Sequence, residues 1–210
     1  SNWMRSHPIL LSVLVGFIFV FIAPFLILYG PGNNISTAST AINCNSDKLL
    51  EASLNGHVNV VNALLAKQEI QINQVNDDGA TPLYLACQNG HVKVVNVLLA
   101  KKEIEINQAA HDGAIPLFIA CENGHVKVVN ALLARKEIRI NQAKDDGTTP
   151  LYMACQNGHV NAINALLVRT EIKINQARDD GATPLYIACE NGHVKVVNAL
   201  LARKEIRINQ

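Results

Sequence analysis

A motif of 24 residues recurs four times along this chain, at a constant spacing of 34 residues. It reads DDGATPLYLACQNGHVKVVNVLLA from Asp77, and near-identical copies begin at His111, Asp145 and Asp179. Two glycines keep their register in every copy, at Gly79, Gly113, Gly147 and Gly181 and at Gly90, Gly124, Gly158 and Gly192. Such a period indicates duplication of one structural unit, so we expect a stack of similar units whose function lies on the stacked surface.

Charge is distributed unevenly and separates the chain into two parts. All 17 acidic residues lie at or after Asp47, and Arg5 is the only lysine or arginine before that point. Of the 18 basic residues, 17 therefore follow Asp47 and balance the 17 acids there. This balance argues against nucleic acid as a partner, because a nucleic-acid-binding surface attracts phosphates through a net positive field.

Residues 9–29 form an uncharged apolar run behind a short flank, residues 1–8. As a helix this run would be roughly 31 Å long, about the thickness of the hydrocarbon core of a bilayer. It predicts one N-terminal transmembrane helix, an uncleaved signal anchor that attaches the protein to the membrane. The alternative is a cleaved signal peptide, with the small residues 39–41 as the cleavage site. Arg5 ahead of the run favours repeats on the non-cytoplasmic side.

The remaining chain divides into a linker and the repeats. Residues 30–45 are small and polar, which predicts a flexible linker. The repeat domain spans residues 46–210, with units of approximately 46–76, 77–110, 111–144, 145–178 and 179–210. The first unit differs from the others and is expected to cap the amino-terminal end. At the other end no polar face closes the stack, so either the natural protein continues or something covers it.

Each unit carries the signals of two short helices. In the second unit, Thr81 supplies an N-cap oxygen, Pro82 suits the first helical position, and Gly90 suits a left-handed C-cap. A second helix is predicted from about His91 to Ala100. The alternating segment 103–107 then predicts an extended stretch entering a tight turn. Neither two-turn helix is stable alone, so each unit must pack against a neighbour.

These units resemble the ankyrin repeat, whose signature is T-P-L-H-x-A at a period near 33 residues. The segments 81–86, 149–154 and 183–188 match the signature at all but one position, and 115–120 matches more loosely. The Asn-Gly-His turns and the Val-Val-Asn-x-Leu-Leu helices are also similar to the family's. The resemblance covers roughly residues 46–210 and implies an all-α ankyrin-repeat solenoid, here preceded by one N-terminal transmembrane helix.

The copies depart from the family's pattern at identifiable positions. An aromatic residue replaces the family's usual histidine after Thr-Pro-Leu, at Tyr84, Phe118, Tyr152 and Tyr186. The segment after the second helix is one residue longer and lacks the usual glycine, so we expect a longer, bulging turn with Ile104 covering the core. Ile115 removes the N-cap hydroxyl of the third unit, a loss of roughly 0.5 to 2 kcal/mol at that helix.

Candidate catalytic residues all have a simpler structural interpretation. Equivalent side chains of stacked units lie about 10 Å apart, too far for a disulfide or a shared metal ion. The four repeat cysteines are therefore predicted to be buried, inert thiols: Cys87, Cys121, Cys155 and Cys189. The histidine after each Asn-Gly is predicted to help begin its own second helix, and the aspartate pairs belong to turns. No nucleophile motif or phosphate-binding loop is present, so we predict no enzyme, cofactor, metal or small-molecule substrate.

Recognition of a partner protein is the remaining function. The resemblance implies contact through the turn tips and the concave face of the first helices. Carried over to this sequence, it predicts sixteen partner-binding positions: Asn76, Asp77, Asp78, Gln88, Ala110, His111, Asp112, Glu122, Lys144, Asp145, Asp146, Gln156, Arg178, Asp179, Asp180 and Glu190. Positions that differ between copies should determine specificity, above all 76, 110, 144 and 178. Replacing Lys144 and Arg178 with glutamate is expected to weaken binding without altering thermal stability.

The sequence thus predicts a membrane-anchored, non-catalytic ankyrin-repeat scaffold or adaptor. One alternative is a secreted binder whose apolar segment has been cleaved. Another is a regulatory module of a larger membrane receptor or channel.

Overall fold

The computed structural model describes residues 45–67 and 69–208, which contain helices and turns and no strand. The predicted flank, the predicted membrane segment and residues 30–44 of the predicted linker lie outside this part. No helix in the described ranges is long and apolar enough to cross a membrane.

Ten helices form five successive pairs in the described chain. The first unit contains α1 (residues 45–54) and α2 (Val58–Leu65). The following pairs are α3 (Pro82–Gln88) and α4 (Val92–Leu99), α5 (Pro116–Glu122) and α6 (Val126–Leu133), α7 (Pro150–Gln156) and α8 (Val160–Leu167), and α9 (Pro184–Glu190) and α10 (Val194–Leu201). Helix α1 already includes residue 45, so the helical part begins slightly before the predicted boundary.

The first helix of a unit begins where the sequence predicts. The hydroxyl of Thr81 accepts a hydrogen bond from the amide of Tyr84 at 3.1 Å, and Thr149 and Thr183 cap α7 and α9 in the same way. Ile115 gives α5 no side-chain cap, which confirms that the cap predicted to be missing is absent. The helix ends at a glycine with a positive φ, as Gly90 (φ 70°) shows. Glycine favours this left-handed backbone conformation because a residue with a Cβ would be strained there.

The two helices of each unit bury different amounts of surface. In α3 every residue from Pro82 to Cys87 is buried, so the helix is covered on all sides rather than on one face. In α4 one face is buried, formed by Val94, Val95, Leu98 and Leu99. First helices pack against first helices of neighbouring units, and second helices against second helices. One hydrophobic core therefore runs through the stack, consistent with helices too short to be stable alone.

The segment after each second helix is not extended, contrary to the prediction. In the second unit it forms consecutive turns, closed by hydrogen bonds from the amide of Ile104 to the carbonyl of Lys101 and from Gln108 to Glu105. These turns direct Ile106 into the core, where it is 7 % exposed, while Ile104 packs on the core edge as expected. The alternation of apolar and charged residues reflects this two-turn path rather than a strand.

Candidate functional site

The turn between units ends in a tip that its own side chains stabilise. Each tip begins with the last residue of one sequence repeat, at position 76, 110, 144 or 178, and we count it with the unit whose first helix follows. The carboxylate of Asp112 accepts a hydrogen bond from the amide of Ala114 at 3.0 Å, and Asp146 and Asp180 make the equivalent bond. In the second unit Asn76 takes this role and accepts from the amides of Asp78 and Ala80. Short polar side chains favour such turns because they replace missing backbone partners. The aspartate at the third tip position thus has the predicted turn function in the third to fifth units, and Asn76 replaces it in the second.

Backbone hydrogen bonds join neighbouring tips. The amide of His111 donates to the carbonyl of Asp78 at 2.9 Å, and the amide of Asp179 donates to the carbonyl of Asp146 at 3.2 Å. At the junction between these two, the ion pair of Lys144 with Asp112 connects the tips. The tips therefore form one continuous edge, which we call the tip surface and define as residues 76–79, 110–113, 144–147 and 178–181.

All sixteen predicted partner-binding positions are exposed or half-buried. Twelve of them belong to the tip surface. The other four end the first helices of the second to fifth units, and they are Gln88, Glu122, Gln156 and Glu190. In the second and third units the two sets meet, because one open cavity of about 370 Å³ is lined by residues of both tips and by Gln88.

Lys144 is held by contacts with the preceding unit. Its ammonium group lies 2.7 Å from the carboxylate of Asp112 and 5.3 Å from the ring centre of Phe118. Burial opposes ionisation of Asp112, but the hydrogen bond from Lys144 and the amide of Ala114 outweigh it and lower the pKa of this carboxyl group. The hydrogen bond to Asp112 likewise raises the pKa of Lys144.

Arg178 makes a similar contact one unit later. Its guanidinium lies 5.6 Å from the ring centre of Tyr152 and pairs with Asp180 in its own tip. The hydrogen bond from Arg178 is the main cause of the lowered pKa of Asp180. Because Lys144 and Arg178 both contact the preceding unit, reversing their charges is expected to reduce stability. The contacts therefore replace the expectation of an unchanged thermal stability with an expected loss for this pair.

The equivalent aromatic ring of the second unit, Tyr84, faces a different neighbour. The tip position that holds Lys144 and Arg178 in later units is Ala110 in the third unit. Tyr84 lines the 370 Å³ cavity together with Asp78, Asp112, His111 and Ala110. Burial, followed by the charges of Asp112, Glu122 and Asp78, raises the pKa of Tyr84 to about 12. The phenol therefore stays protonated at neutral pH beside carboxylates.

Each repeat histidine is the N-cap residue of its second helix, as predicted, but the imidazole rings of four of the five act between units. None of the five makes a side-chain cap on its own second helix. Instead Nε2 bonds the carbonyl at the end of the preceding first helix, as His159 does with Glu122 at 2.8 Å. His91, His125 and His193 make the same bond to Leu54, Gln88 and Gln156. The ring also lies against the preceding unit's left-handed glycine, so that a Cβ on Gly124 would meet His159 at 2.5 Å.

A ladder of asparagines, which we did not predict from the sequence, also joins the units. The side-chain Nδ2 of Asn73 donates to the carbonyl of Glu103 at 2.7 Å, and its Oδ1 accepts from the backbone amide of Glu105 at 3.0 Å. Asn107, Asn141 and Asn175 repeat this two-way contact with the next unit. The invariant Ile-Asn-Gln triplet at a 34-residue spacing is the signal that could have indicated it.

Three of the four repeat cysteines confirm the prediction of burial. Cys87, Cys121 and Cys155 are buried free thiols, and burial raises the pKa of each, so the unreactive thiol form is favoured. Cys189 is exposed, and for this residue the prediction is wrong. The first helix of the next unit covers each buried cysteine, and no described residue takes that place beside Cys189. Cys44 lies outside the described residues.

Within the described ranges, no group of three or more histidine, cysteine, aspartate or glutamate side chains is placed to hold a metal ion. The histidines contact backbone carbonyls, and the aspartates contact their own turns or a neighbouring cation.

These features define a tandem-repeat protein built from stacked helix pairs, with one polar edge made of turn tips. A family model described as ankyrin repeats (3 copies) matches the chain at residues 22–110, 49–144 and 117–210. The chain therefore belongs to the ankyrin-repeat family, whose repeats are typically non-catalytic interaction modules. No curated protein matches the chain.

Proposed function

We propose that this protein binds a partner protein, without catalysis, through the tip surface and the carboxyl ends of the first helices. The main support is that one set of polar side chains joins the units and a different set lies at the surface. Histidines, asparagines and the cations after the second helices face inward between units, for example Arg169 with the carbonyl of Leu133. The polar side chains at the tips remain exposed or half-buried on a frame that these contacts hold together.

Differences between copies support specificity at the tips. Identical positions would offer the same contact in each unit, whereas positions 76, 110, 144 and 178 carry Asn, Ala, Lys and Arg. Two of these side chains are already engaged with aromatic rings of the preceding unit. The two halves of the tip surface therefore present different chemistry to a partner.

Site-specific photocrosslinking tests the proposed binding surface. A benzophenone amino acid at Asp77 or at Gln88, both exposed, is expected to capture the same partner protein from cells. Lys93 is the control, since it is also exposed but lies on the second helix α4. Equal capture from Lys93 would contradict a binding site at the tips.

The proposal includes attachment to a membrane through residues 9–29. Its support is the length of the uncharged run, which suits one bilayer crossing. Carbonate washing of membranes tests it, with a membrane-bound full-length chain as the expected result. Release of a chain with a shortened amino terminus would favour the secreted form.

A further inference from the structure

We infer that the cavity beside Tyr84 is a receptor site for one cationic side chain, a lysine or an arginine, of the partner protein. The inference rests on the proposed function for the existence of that partner. Its evidence is the repeat itself. In the next two units the equivalent aromatic ring is already contacted by a lysine or an arginine of this chain.

The occupied sites show what the aromatic position holds. Phe118 has Lys144 at 5.3 Å from its ring centre, and Tyr152 has Arg178 at 5.6 Å. A cation is attracted to the negative face of an aromatic ring at such distances. In both cases the cation comes from the tip of the following unit. The rings beneath are almost fully covered, with 2 % and 1 % of their residues' surface exposed.

The Tyr84 site keeps the aromatic ring but lacks that cation. The following tip offers Ala110, whose methyl group neither carries charge nor reaches across the ring. Tyr84 is 8 % exposed, more than Phe118 or Tyr152, and borders the open cavity of about 370 Å³. The space taken by a side chain in the later units is here accessible from solvent.

A carboxylate is available at the position that the Lys144 site uses, whereas Arg178 pairs within its own tip. Lys144 pairs with Asp112, the third residue of the preceding tip, and the equivalent residue for position 110 is Asp78. Asp78 is exposed and has no ion pair among residues 45–67 and 69–208, whereas Asp112 is already bound to Lys144. Asp78 is therefore the carboxylate left to receive an incoming cation.

The charge around the cavity favours a cation over a neutral group. Asp78 and Asp112 both line it, together with the face of Tyr84 and the polar side chain of Gln88. The same carboxylates that oppose ionisation of the Tyr84 phenol stabilise a positive charge beside it. A protruding lysine or arginine of a partner matches this arrangement, because its alkyl stem can cover the ring while its charged end meets Asp78.

The first test fills the cavity from within the chain. Ala110→Lys in the full-length protein, in mild detergent, is expected to favour folding over Ala110→Met by a factor of roughly two to five. Methionine is the matched control, since it has a similar stem and no charge. Asp78→Asn should reduce this difference, leaving the part that comes from the ring of Tyr84. Equal stabilities of the lysine and methionine variants, or a difference that Asp78→Asn leaves unchanged, would overturn the inference.

The second test supplies the cation from outside. N-acetyl-lysine methylamide, titrated into the protein and followed by NMR, is expected to shift the amide signals of Ala110 and Asp112. The signals of Arg178, at an occupied site, serve as an internal control and should stay unchanged. N-acetyl-norleucine methylamide is the uncharged control probe. Equal shifts from the two probes would overturn the assignment to a cation, and Ala110→Lys should abolish the shifts.

The two tests separate this inference from the proposed function. Binding of the lysine probe without any crosslinked partner would contradict the proposed function and leave the cation site in place. A crosslinked partner that binds Asp78→Asn and Ala110→Lys as well as the unmodified protein would overturn the cation site alone.

Discussion

Single residues hold this protein together mainly through contacts that cross from one unit to the next. His159 illustrates the pattern, because its Nε2 reaches the carbonyl of Glu122 while its ring occupies the space left by the missing side chain of Gly124. The carbonyl at the end of a two-turn helix has no partner in its own helix. A side chain 37 residues later in the sequence supplies one.

A pair of glycine substitutions measures this contact. Gly124→Ala is expected to cost more stability than Gly192→Ala, although both residues have a φ near 70°. Both substitutions place a Cβ on a left-handed residue, which costs about 1–2 kcal/mol in backbone strain. Only the Cβ on Gly124 would also collide with a histidine, because nothing lies within 4 Å of a Cβ on Gly192. Urea denaturation of both variants checks the difference. Equal losses would contradict a role for the histidine packing.

A second prediction concerns the contribution of the Lys144–Asp112 ion pair to stability. Lys144→Met should lower the free energy of unfolding at pH 7 by about 0.5–1 kcal/mol, a modest value because Asp112 is half exposed to solvent. The pKa of Asp112 is lower in the folded state, so its contribution is present above the unfolded pKa and is lost as pH falls through the folded value.

The difference between Lys144→Met and the unmodified protein should therefore shrink below about pH 4. Denaturation curves at pH 7 and pH 3 measure it. Lys127→Met is the control, since Lys127 is an exposed lysine of α6 and should change stability little. A difference that stays the same at both pH values would show that the aromatic contact alone matters.

Among the elements, the first helices depend most on a local signal at their start. Thr149 caps α7 through a hydroxyl that is buried with its donor, the amide of Tyr152. At α5 the chain has Ile115, which is fully buried and adds apolar surface in exchange for the cap. The N-cap position thus stabilises α7 through a hydrogen bond and α5 through burial of an apolar side chain.

Thr149→Val separates these effects, because it removes the hydroxyl and preserves the shape of the side chain. We expect a loss of about 0.5–2 kcal/mol, the usual cost of losing an N-cap. Ile115→Val is the control at the equivalent position and removes one methylene without changing any hydrogen bond, with an expected loss of about 0.5–1.5 kcal/mol. Thermal or urea unfolding gives both values. A gain in stability for Thr149→Val would contradict the capping role.

At the scale of the whole molecule, stacking decides which surface is protected. Equivalent residues of the fourth and fifth units have nearly the same sequence environment but different exposure. Tyr152 is 1 % exposed, whereas Tyr186 is 56 % exposed, and Cys155 is buried whereas Cys189 is exposed. The difference arises because the fifth unit follows the fourth and covers it.

Thiol labelling of the native protein checks this pattern of protection. Cys189 is expected to react rapidly with a maleimide, while Cys87, Cys121 and Cys155 should react only when the stack opens. Mass spectrometry of proteolytic peptides assigns the modified positions one by one. In added urea the three buried thiols should become reactive together, and rapid native labelling of Cys121 would contradict the packing described here.

The sequence by itself determined the repeating unit and its local structure. The 34-residue period, the Thr-Pro starts, the left-handed glycines and the missing cap at Ile115 all depend on neighbours a few residues away, and each could be predicted from the residues alone. Only the tertiary structure decided which side chains meet between units. The hydrogen bonds of the repeat histidines, the asparagine ladder and the cations over Phe118 and Tyr152 join residues 26 to 37 positions apart. Their distances and directions are set by the stacking of whole units, and so is the contrast between the filled sites and the open cavity at Tyr84.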